Sequence, residues 1–494
     1  MKKSKTTIII FLGLIALLLV GLVIALLIPS SKDITSSDNG SILLFDKQGL
    51  VPEYISVKND SGEYELLGFA FNEGSPVSEG SEEASHSLPD GTDIVYTMQD
   101  HYKYLLDKEI TDSLVKQCSI LYASEIVDKS SSRYGEYGLD NPVGSFTVSF
   151  SDESGVKVDI GDFAPDNKGI YIRLEGDSKV YLANTSDLSS FFIEKLQLFD
   201  KGITGTISEV TGFTVSGEFY NEEIKVKENS YKCYPYKFML DDGARNCCSN
   251  SVTETIFKGV QSLKGEMVAA VDTDEEELAR LGLDKPFIRV QVTGKGGQSI
   301  DIIASKTNEN GTFNLMEVGK GIAYTFSRDN ASWYAVPKNE ILSESVFSVD
   351  SSEIKLLKTT ADKDSQTYNI EKEIIQVSGL VDNEIITVKC GDKIIPYTNI
   401  SVFMLDLSRL ARTASVPQDL KGFDKTILEV QLGYFSYPEI NDDLKLVRNS
   451  DGITAAVLNG TVICLVNSSD ADKLADQAKL ISTSNNLEPV IEQS

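Results

Sequence analysis

Gly138-Leu139-Asp140-Asn141-Pro142 occurs a second time as Gly282-Leu283-Asp284-Lys285-Pro286, 144 residues later. A weaker third copy, Gly422-Phe423-Asp424-Lys425-Thr426, follows after a further 140 residues. The segment 284–292 aligns without a gap on 424–432. Self-similarity at a fixed period indicates a repeated structural unit. The sequence therefore predicts tandem units of related fold, with this motif at the same place in each.

The residue types of the motif are those of a structural joint. Glycine readily adopts the positive φ that ends a helix or a turn. Leucine fills a core, aspartate can hydrogen-bond to the next turn, and proline fixes φ where an extended segment begins. We interpret the motif as the joint between a helix and a strand. A binding role for Asp140 and Asp284 is the alternative.

Alternating hydrophobic residues around turn-forming residues predict a β-hairpin at the start of each unit. The paired segments are 54–58 with 63–66, 212–216 with 223–227, and 373–377 with 384–389. After each hairpin, apolar residues recur at the spacing of a helix face. This pattern predicts helices at 110–121, 252–263 and 400–414. Thr111 or Asp112 is the expected N-cap of the first helix.

Further strands are expected around and after each joint. They are 145–150, 157–160, 169–173 and 179–182 in the first unit, 313–316 and 322–325 in the second, and 454–458 and 461–466 in the third, before a helix at 471–481. Short stretches at 124–127 and 265–268 follow the first and second helices at equal distance. The glycine-rich segment 294–297 is expected to form a hairpin turn, and 72–93 an exposed loop.

The predicted fold class is α+β, with an N-terminal transmembrane helix followed by three tandem related units of antiparallel strands with packed helices. The predicted segments are a cytoplasmic N-terminus 1–7, a transmembrane helix 8–28, a linker 29–41, a first repeat unit 42–197, a second repeat unit 198–345, a third, divergent unit 346–482 and a disordered tail 483–494.

The N-terminal segment predicts a membrane anchor. Lys2, Lys3 and Lys5 precede the run Ile8–Ile28, which contains no charged residue. As a helix this run is about 31 Å long, enough to cross the hydrocarbon core. It exceeds the apolar region of a cleaved signal peptide and offers no small-residue cleavage site. Because basic residues flank the cytoplasmic side, we expect a single-pass cell-membrane protein with its N-terminus inside and its bulk extracytoplasmic.

The charge balance excludes one class of partner. The chain has 46 basic and 74 acidic residues, a net charge of −28. This excess of carboxylates repels phosphate backbones, so no nucleic-acid partner is expected. We interpret the acidity as a source of solubility outside a cell. The alternative is a surface that loosely collects cations such as Ca²⁺.

Catalytic motifs are absent from the sequence. A Ser-His-Asp or Cys-His arrangement would have to use His86 or His101, and neither lies near a Gly-x-Ser-x-Gly elbow. The zinc motif HExxH, the Walker A motif and GxGxxG do not occur. We therefore predict a protein that is not an enzyme, with no catalytic, cofactor-binding or metal-binding residues and no cofactor.

The cysteines divide into two groups. Cys118 and Cys464 lie in apolar runs and are expected to be small buried hydrophobic residues. Cys247 and Cys248 are adjacent in a polar segment downstream of Cys233. The sequence leaves a local disulfide among these three open, because spacing alone does not assign pairing.

Three further features are expected to be structural. Asp362, Asp364 and Glu373 have calcium-loop spacing, but Thr367 replaces the required glycine, which favours a solvated acidic loop. The segment 272–277 is interpreted as the acidic first turn of a short helix that ends at Gly282. Trp333 is expected to be a core anchor between units.

Several segments resemble one bacterial family, the domain of unknown function numbered 4340. They are the hairpin Ile55–Gly62, the joint Tyr137–Pro142, the strand Lys179–Leu182, and the second-copy segments Leu281–Pro286 and Ala323–Thr325. The resemblance is good over 41–345 and weak beyond, where the third copy loses the leucine and the proline. Members are often found with ABC transporter components, so the resemblance implies an accessory role in export or envelope work. It supplies no catalytic residues.

The resulting functional expectation is a non-enzymatic, membrane-anchored extracytoplasmic accessory protein of a bacterial ABC-type transport or cell-envelope system. Its expected partners are the membrane, through one N-terminal helix, and ABC transporter subunits. The alternative is a surface module that binds cell-wall polysaccharide or peptide. A hydrolytic enzyme that uses unidentified carboxylates is a third class.

Overall fold

The computed structural model describes residues 41–71, 85–87, 93–130, 132–375, 383–414 and 422–492. The predicted cytoplasmic segment 1–7, the predicted transmembrane helix 8–28 and nearly all of the predicted linker lie outside these ranges. Most of the predicted loop 72–93 also lies outside them, apart from a short strand at 85–87. None of the described helices is both long enough and apolar enough to cross a membrane.

Antiparallel strands make up most of the regular structure. They are β1 (Ile42–Asp46), β2 (Pro52–Asn59), β3 (Gly62–Phe71), β4 (Ser85–Ser87), β5 (Asp93–Met98), β6 (Ile120–Ala123), β7 (Glu125–Asp128), β8 (Gly144–Phe150), β9 (Gly155–Phe163), β10 (Ile170–Leu174), β11 (Val180–Ala183), β12 (Val210–Ser216), β13 (Ile224–Glu228), β14 (Phe238–Leu240), β15 (Met267–Val271), β16 (Ile288–Gly294), β17 (Ser299–Ala304), β18 (Thr312–Glu317), β19 (Ile322–Ser327), β20 (Ile354–Ala361), β21 (Asp364–Ile375), β22 (Asn383–Cys390), β23 (Lys393–Ile395), β24 (Arg412–Ala414), β25 (Lys425–Tyr434), β26 (Asn441–Arg448), β27 (Thr454–Leu458) and β28 (Thr461–Val466).

Helices are fewer and pack beside these strands. They are α1 (Lys108–Ser119), α2 (Asn250–Gly259), α3 (Glu275–Leu281), α4 (Lys338–Ile341), α5 (Tyr397–Arg409) and α6 (Ser468–Leu480). The prediction of an α+β class with antiparallel sheets is confirmed.

One series of strands recurs in the three large sheets. Its order is β3-β2-β8-β9-β10-β11 in the first, β13-β12-β16-β17-β18-β19 in the second and β21-β20-β25-β26-β27-β28 in the third. In each sheet the first strand of the opening hairpin pairs with the strand that follows the joint. The centre of every sheet therefore joins segments that are far apart in sequence.

By its contacts the chain forms two compact units. Of the described residues, unit 1 contains those up to Gly202 together with Gly265–Asp272, and unit 2 contains Ile203–Lys264 and those from Thr273 onward. The second and third series of strands both belong to unit 2. Cys233, Tyr234 and Met239 contribute to the same buried cluster as the strands of the third series. This shared core explains why the two series form one unit.

The joints have the predicted conformation. Gly138 ends a 3-10 helix over Tyr134–Tyr137 with a φ of 71°, and Gly282 ends α3 with a φ of 70°. In both, the next N–H reaches back to the helix: Leu139 N donates to Tyr134 O at 3.0 Å and Leu283 N donates to Leu278 O at 2.8 Å. Both leucines are buried. This helix-ending pattern with a left-handed glycine is why the motif needs glycine and an apolar residue in succession.

The helix starts agree with the sequence in part. The acidic start of α3 is confirmed for 274–277, since Asp274 caps the helix by accepting from Glu277 N at 2.8 Å, whereas Asp272 lies before it. The predicted cap of α1 is wrong. Asp107 caps it by accepting from Ile110 N at 3.1 Å, and Thr111 is buried inside the helix.

The opening hairpin of the third series was misplaced. Part of the predicted pairing of 373–377 with 384–389 is found between β21 and β22, where Glu373 pairs with Ile385 and Ile374 with Glu384. Residues 376 and 377 lie outside the described ranges. However, the hairpin equivalent to β2–β3 is β20–β21, which turns at Asp362 with a φ of 54°. Asp364 and Glu373 therefore lie in a strand rather than in an acidic loop. The mixed polar composition of β20 hid its alternation from a reading of the sequence alone.

The expectation of a disordered tail from 483 is wrong for 483–492. Leu487 and Ile491 are buried in the core of the third series. Leu487 N donates to Asn399 Oδ1 at 3.0 Å, and Val490 N donates to Asp406 Oδ2 at 2.8 Å. The polar composition of this segment suggested solvent exposure, but its isolated apolar residues pack against α5.

Replacing Gly138 with alanine tests the joint. At a φ of 71°, an added Cβ would lie 2.5 Å from Asp162 Cγ. Gly176 also has a positive φ, of 81°, but nothing lies within 4 Å of its Cβ position. We expect Gly176→Ala to lower the free energy of unfolding by about 1 kcal/mol through backbone strain. Gly138→Ala should cost a further ~1–3 kcal/mol through overpacking. Urea unfolding measures both, and equal losses would contradict this account of the joint.

Candidate functional site

A cleft of about 340 Å³ opens beside the second joint. The C-terminal end of α3, the segment 282–287 and the connection between β17 and β18 form its walls. All of these elements belong to unit 2. The cleft therefore uses the motif residues themselves as a wall, although their sequence indicated only a structural joint.

Hydrogen bonds fix the floor of the cleft. Asn314 Nδ2 donates to Leu281 O at 3.1 Å, and Asn314 N donates to Ser305 Oγ at 2.9 Å. Tyr334 OH donates to Ser305 O at 2.8 Å. The polar groups of Ser305 and Asn314 thus form hydrogen bonds within the protein. They give the cleft a rigid base rather than a set of free ligand-binding atoms.

The rim of the cleft is charged. Arg280, Lys285 and Lys306 supply positive charge, and Glu218 supplies one negative charge. Arg280 Nε donates to Glu277 Oε2 at 2.9 Å, so its charge is partly neutralised. Lys285 and Lys306 are exposed, and within the described ranges neither forms an ion pair. Two ammonium groups are therefore available at this rim.

His101 forms a second polar cluster, in unit 1. It ends a 3-10 helix over Gln99–His101, and its Nδ1 lies 2.6 Å from Asp272 Oδ2. Tyr104 OH donates to Asp272 Oδ1 at 3.0 Å, and Lys103 forms an ion pair with the same oxygen. The hydrogen bond from Lys103, with those from His101 and Tyr104, lowers the pKa of Asp272 to about 2. Both carboxylate oxygens are engaged, so Asp272 ties together residues distant in sequence.

The sequence did not reveal this cluster. It placed Asp272 in the first turn of a helix, but α3 begins at Glu275 and Asp272 lies before it. His86, the other histidine, lies in β4. A contact across 171 positions leaves no local pattern, and acidic residues are too common in this chain for any one to stand out.

Asp442 is the centre of a buried ion-pair network in unit 2. Its side chain is 1% exposed. Arg245 Nε and Asn459 Nδ2 each donate to Oδ1 at 2.9 Å. Tyr234 OH donates to Oδ2 at 2.6 Å, and Tyr434 OH also donates to Oδ2. Burial and the negative charge of Asp442 hold the pKa of Tyr434 well above its ordinary value. A phenol in this state acts as a donor, which suits a structural role.

The cysteines are all free. Cys118 and Cys464 are buried, as predicted. The local disulfide that the sequence left open among Cys233, Cys247 and Cys248 is not formed. Burial raises the pKa of Cys233 and of Cys247 to about 12, so neither thiol ionises readily at neutral pH.

The surroundings of Trp333 and of the acidic residues bear on two further predictions from the sequence. Trp333 is 1% exposed and packs edge-on against Phe313 at 6.1 Å, which confirms that it lies in a core. Its ring contacts, Phe313 and Tyr334, both belong to the predicted second unit, so its role between units stays a prediction. Among the described residues, no group of three or more His, Cys, Asp or Glu side chains could hold a metal ion.

The family comparison concerns the first part of the molecule. A family model described as a domain of unknown function (DUF4340) matches residues 97–228. This match confirms the resemblance to DUF4340 over those residues. The DUF4340 segment runs from the end of β5 through α1 and the first joint to β13, so it includes His101. The second joint lies beyond it, as does the lining of the cleft apart from Glu218. No curated protein and no solved structure matches the chain.

Replacing Asp442 with asparagine tests the buried network. Removing the charge leaves the Arg245 guanidinium without its partner. We expect the free energy of unfolding to fall by about 3–5 kcal/mol, as when one member of a buried pair is removed. Asp241→Asn is the matched control, because Asp241 pairs with Lys227 at 2.5 Å on the exposed surface. Its loss should stay below about 1 kcal/mol. Urea unfolding distinguishes the two, and similar losses would refute a special role for Asp442.

The Asp272 cluster predicts a dependence of stability on pH. The pKa of this carboxylate is lowered from 3.8 to about 2 in the folded protein. Its contribution is therefore complete above about pH 4 and lost as the pH falls toward 2. Asp272→Asn should unfold at a lower urea concentration than the unmodified protein at pH 6, with the difference shrinking at pH 2.5. A constant difference between the two proteins would show that the carboxylate charge is not involved.

Proposed function

We propose that this chain is a membrane-anchored extracytoplasmic accessory protein of a bacterial ABC-type transport or cell-envelope system, and that it works by binding rather than by catalysis. The anchor is the uncharged run Ile8–Ile28, preceded by Lys2, Lys3 and Lys5. The extracytoplasmic part comprises three tandem related units.

One observation carries the proposal: the same strand series recurs three times behind a single apolar N-terminal run. Repeated units of one fold extend a surface away from an anchor without requiring an active site. The most prominent polar clusters, at Asp272 and Asp442, have their carboxylates engaged by neighbouring donors. This engagement supports a structural role for both clusters, in which each carboxylate holds parts of its own unit together. The resemblance to DUF4340 proteins supports the association with a transporter.

A second candidate function is a surface module that binds cell-wall polysaccharide or peptide. The cleft at the second joint favours it, because its rim offers two unpaired ammonium groups beside an aromatic wall at Phe287. Both candidates share the anchor and the extracytoplasmic location. They differ in the partner.

Membrane fractionation and thiol labelling test the anchor. We expect the full chain to remain in membranes after alkaline carbonate extraction, and a variant lacking 8–28 to be released. A membrane-impermeant maleimide applied to intact cells should label the Ser31→Cys variant above the background of the native cysteines. It should not label Ser4→Cys until the cells are opened, because the lysine-flanked end is cytoplasmic. Release of the full chain by carbonate would disprove the anchor.

Purification in mild detergent distinguishes the two partners. Co-purification of an ATPase and a permease subunit with the full chain, but not with the variant lacking 8–28, is the expected result. Recovery with cell-wall sacculi and without transporter subunits would instead favour the wall-binding module.

A further inference from the structure

We propose that the cleft at the second joint binds an anionic ligand, a molecule that carries a carboxylate or a phosphate on an apolar or ring-shaped body. The inference rests on the residues of unit 2 alone. It requires neither the membrane anchor nor a transporter.

The first evidence is a reversal of charge between the two joints. Phe146 pairs with Val158, and Val290 pairs with Ile302, so the 144-residue offset of the motif also holds in the next strand. The cationic rim residues can therefore be matched by position with the first joint. Arg280, Lys285 and Lys306 correspond to Glu136, Asn141 and Asp162. Glu136 and Arg280 are each paired with an opposite charge three positions earlier, Arg133 and Glu277, so the net change lies at the other two positions. There, one negative charge at the first joint becomes two positive charges at the second.

The second evidence is the space at each joint. At the first joint, the Cβ position of Gly138 lies 2.5 Å from Asp162 Cγ and 2.7 Å from Asp162 N, so the aspartate packs directly on the glycine. At the second joint, Ser305 Cβ, at 3.3 Å, is the one atom within 4 Å of the Cβ position of Gly282. No atom of Lys306 lies within 4 Å of that position. The first joint is closed by its own side chain, and the second is left open as a cleft.

The third evidence is the sign of the local charge. The whole chain has a net charge of −28, which disfavours anions at an average position on its surface. At the cleft, the ammonium groups of Lys285 and Lys306 instead supply local positive charge. Within the described ranges, neither forms an ion pair with a carboxylate. Exposed lysines without partners are suited to forming charge-assisted hydrogen bonds with an incoming oxyanion.

The remaining residues restrict the shape of the ligand. Glu218 lies at the rim and repels an anionic group placed near it, so the anionic end should face the two lysines. Phe287 adds a partly exposed aromatic wall, with the rings of Phe219 at 5.7 Å and Tyr334 at 5.9 Å supporting it. The volume of about 340 Å³ is at the lower end of small-molecule sites. A ligand of the size of one sugar or one to two amino acids fits these limits.

Titration calorimetry on the full chain in detergent tests the proposal, with phenyl phosphate, benzoate and inorganic phosphate as probes. We expect phenyl phosphate or benzoate to bind, with inorganic phosphate weaker than either bound probe because it lacks the apolar body. Each of Lys285→Glu and Lys306→Glu should weaken binding roughly tenfold, the loss expected for one charged hydrogen bond. Both lysines are exposed, so the thermal unfolding midpoint should not change.

Lys320→Glu is the matched control, because it makes the same charge change at an exposed position of the β18–β19 turn, outside the cleft. It should leave the affinity within twofold of the unmodified protein. Preference for phenyl phosphate or for benzoate identifies phosphate or carboxylate as the anionic group. Absence of binding by both aromatic probes, or equal weakening by all three substitutions, would overturn the proposal. Neither outcome bears on membrane location or transporter association, so the two proposals fail separately.

Discussion

The left-handed glycine at each joint is the constraint on which the sheets depend. Gly138 and Gly282 end a helical turn, and the buried leucine that follows anchors the chain at the core. The next strand then pairs with the first strand of a hairpin that lies between 73 and 98 residues earlier in the chain. Since successive strand residues face opposite sides, a shift of one residue at the joint would turn the apolar face of β8 or β16 outward. The motif thereby determines the register of the central strand pair.

Buried charge is used sparingly in this acidic protein. Asp442 is surrounded by a guanidinium, an amide and two phenols, so its desolvation is offset by donors on both oxygens. Asp272 serves the same purpose at a more exposed site. Most of the other acidic residues that the structure describes lie at the surface, where they keep the protein soluble. Acidic residues therefore differ in role according to their donors rather than their local sequence.

The two joints illustrate how a repeated fold acquires different surfaces. The first lies in the DUF4340 segment and is closed by Asp162. The second has the same backbone conformation and the same buried leucine, but its surrounding side chains leave a cleft with a cationic rim. Both joints share one backbone conformation, because ending the helix and filling the core require it. The side chains that face solvent around each joint do not affect helix termination or core filling. At these positions the two copies differ in charge.

Much of the local structure followed from the sequence. β27 and β28 have the predicted bounds, α1 lies within two residues of its prediction, and the joints have the expected glycine conformation. These features depend on periodicity, capping and φ preference, which act over a few residues. β20 and the packed segment 483–492 were missed, because their burial depends on partners elsewhere in the chain. The His101–Asp272 contact, the Asp442 network and the cleft were decided only by the tertiary structure, since each joins residues whose distance in sequence conceals their proximity in space.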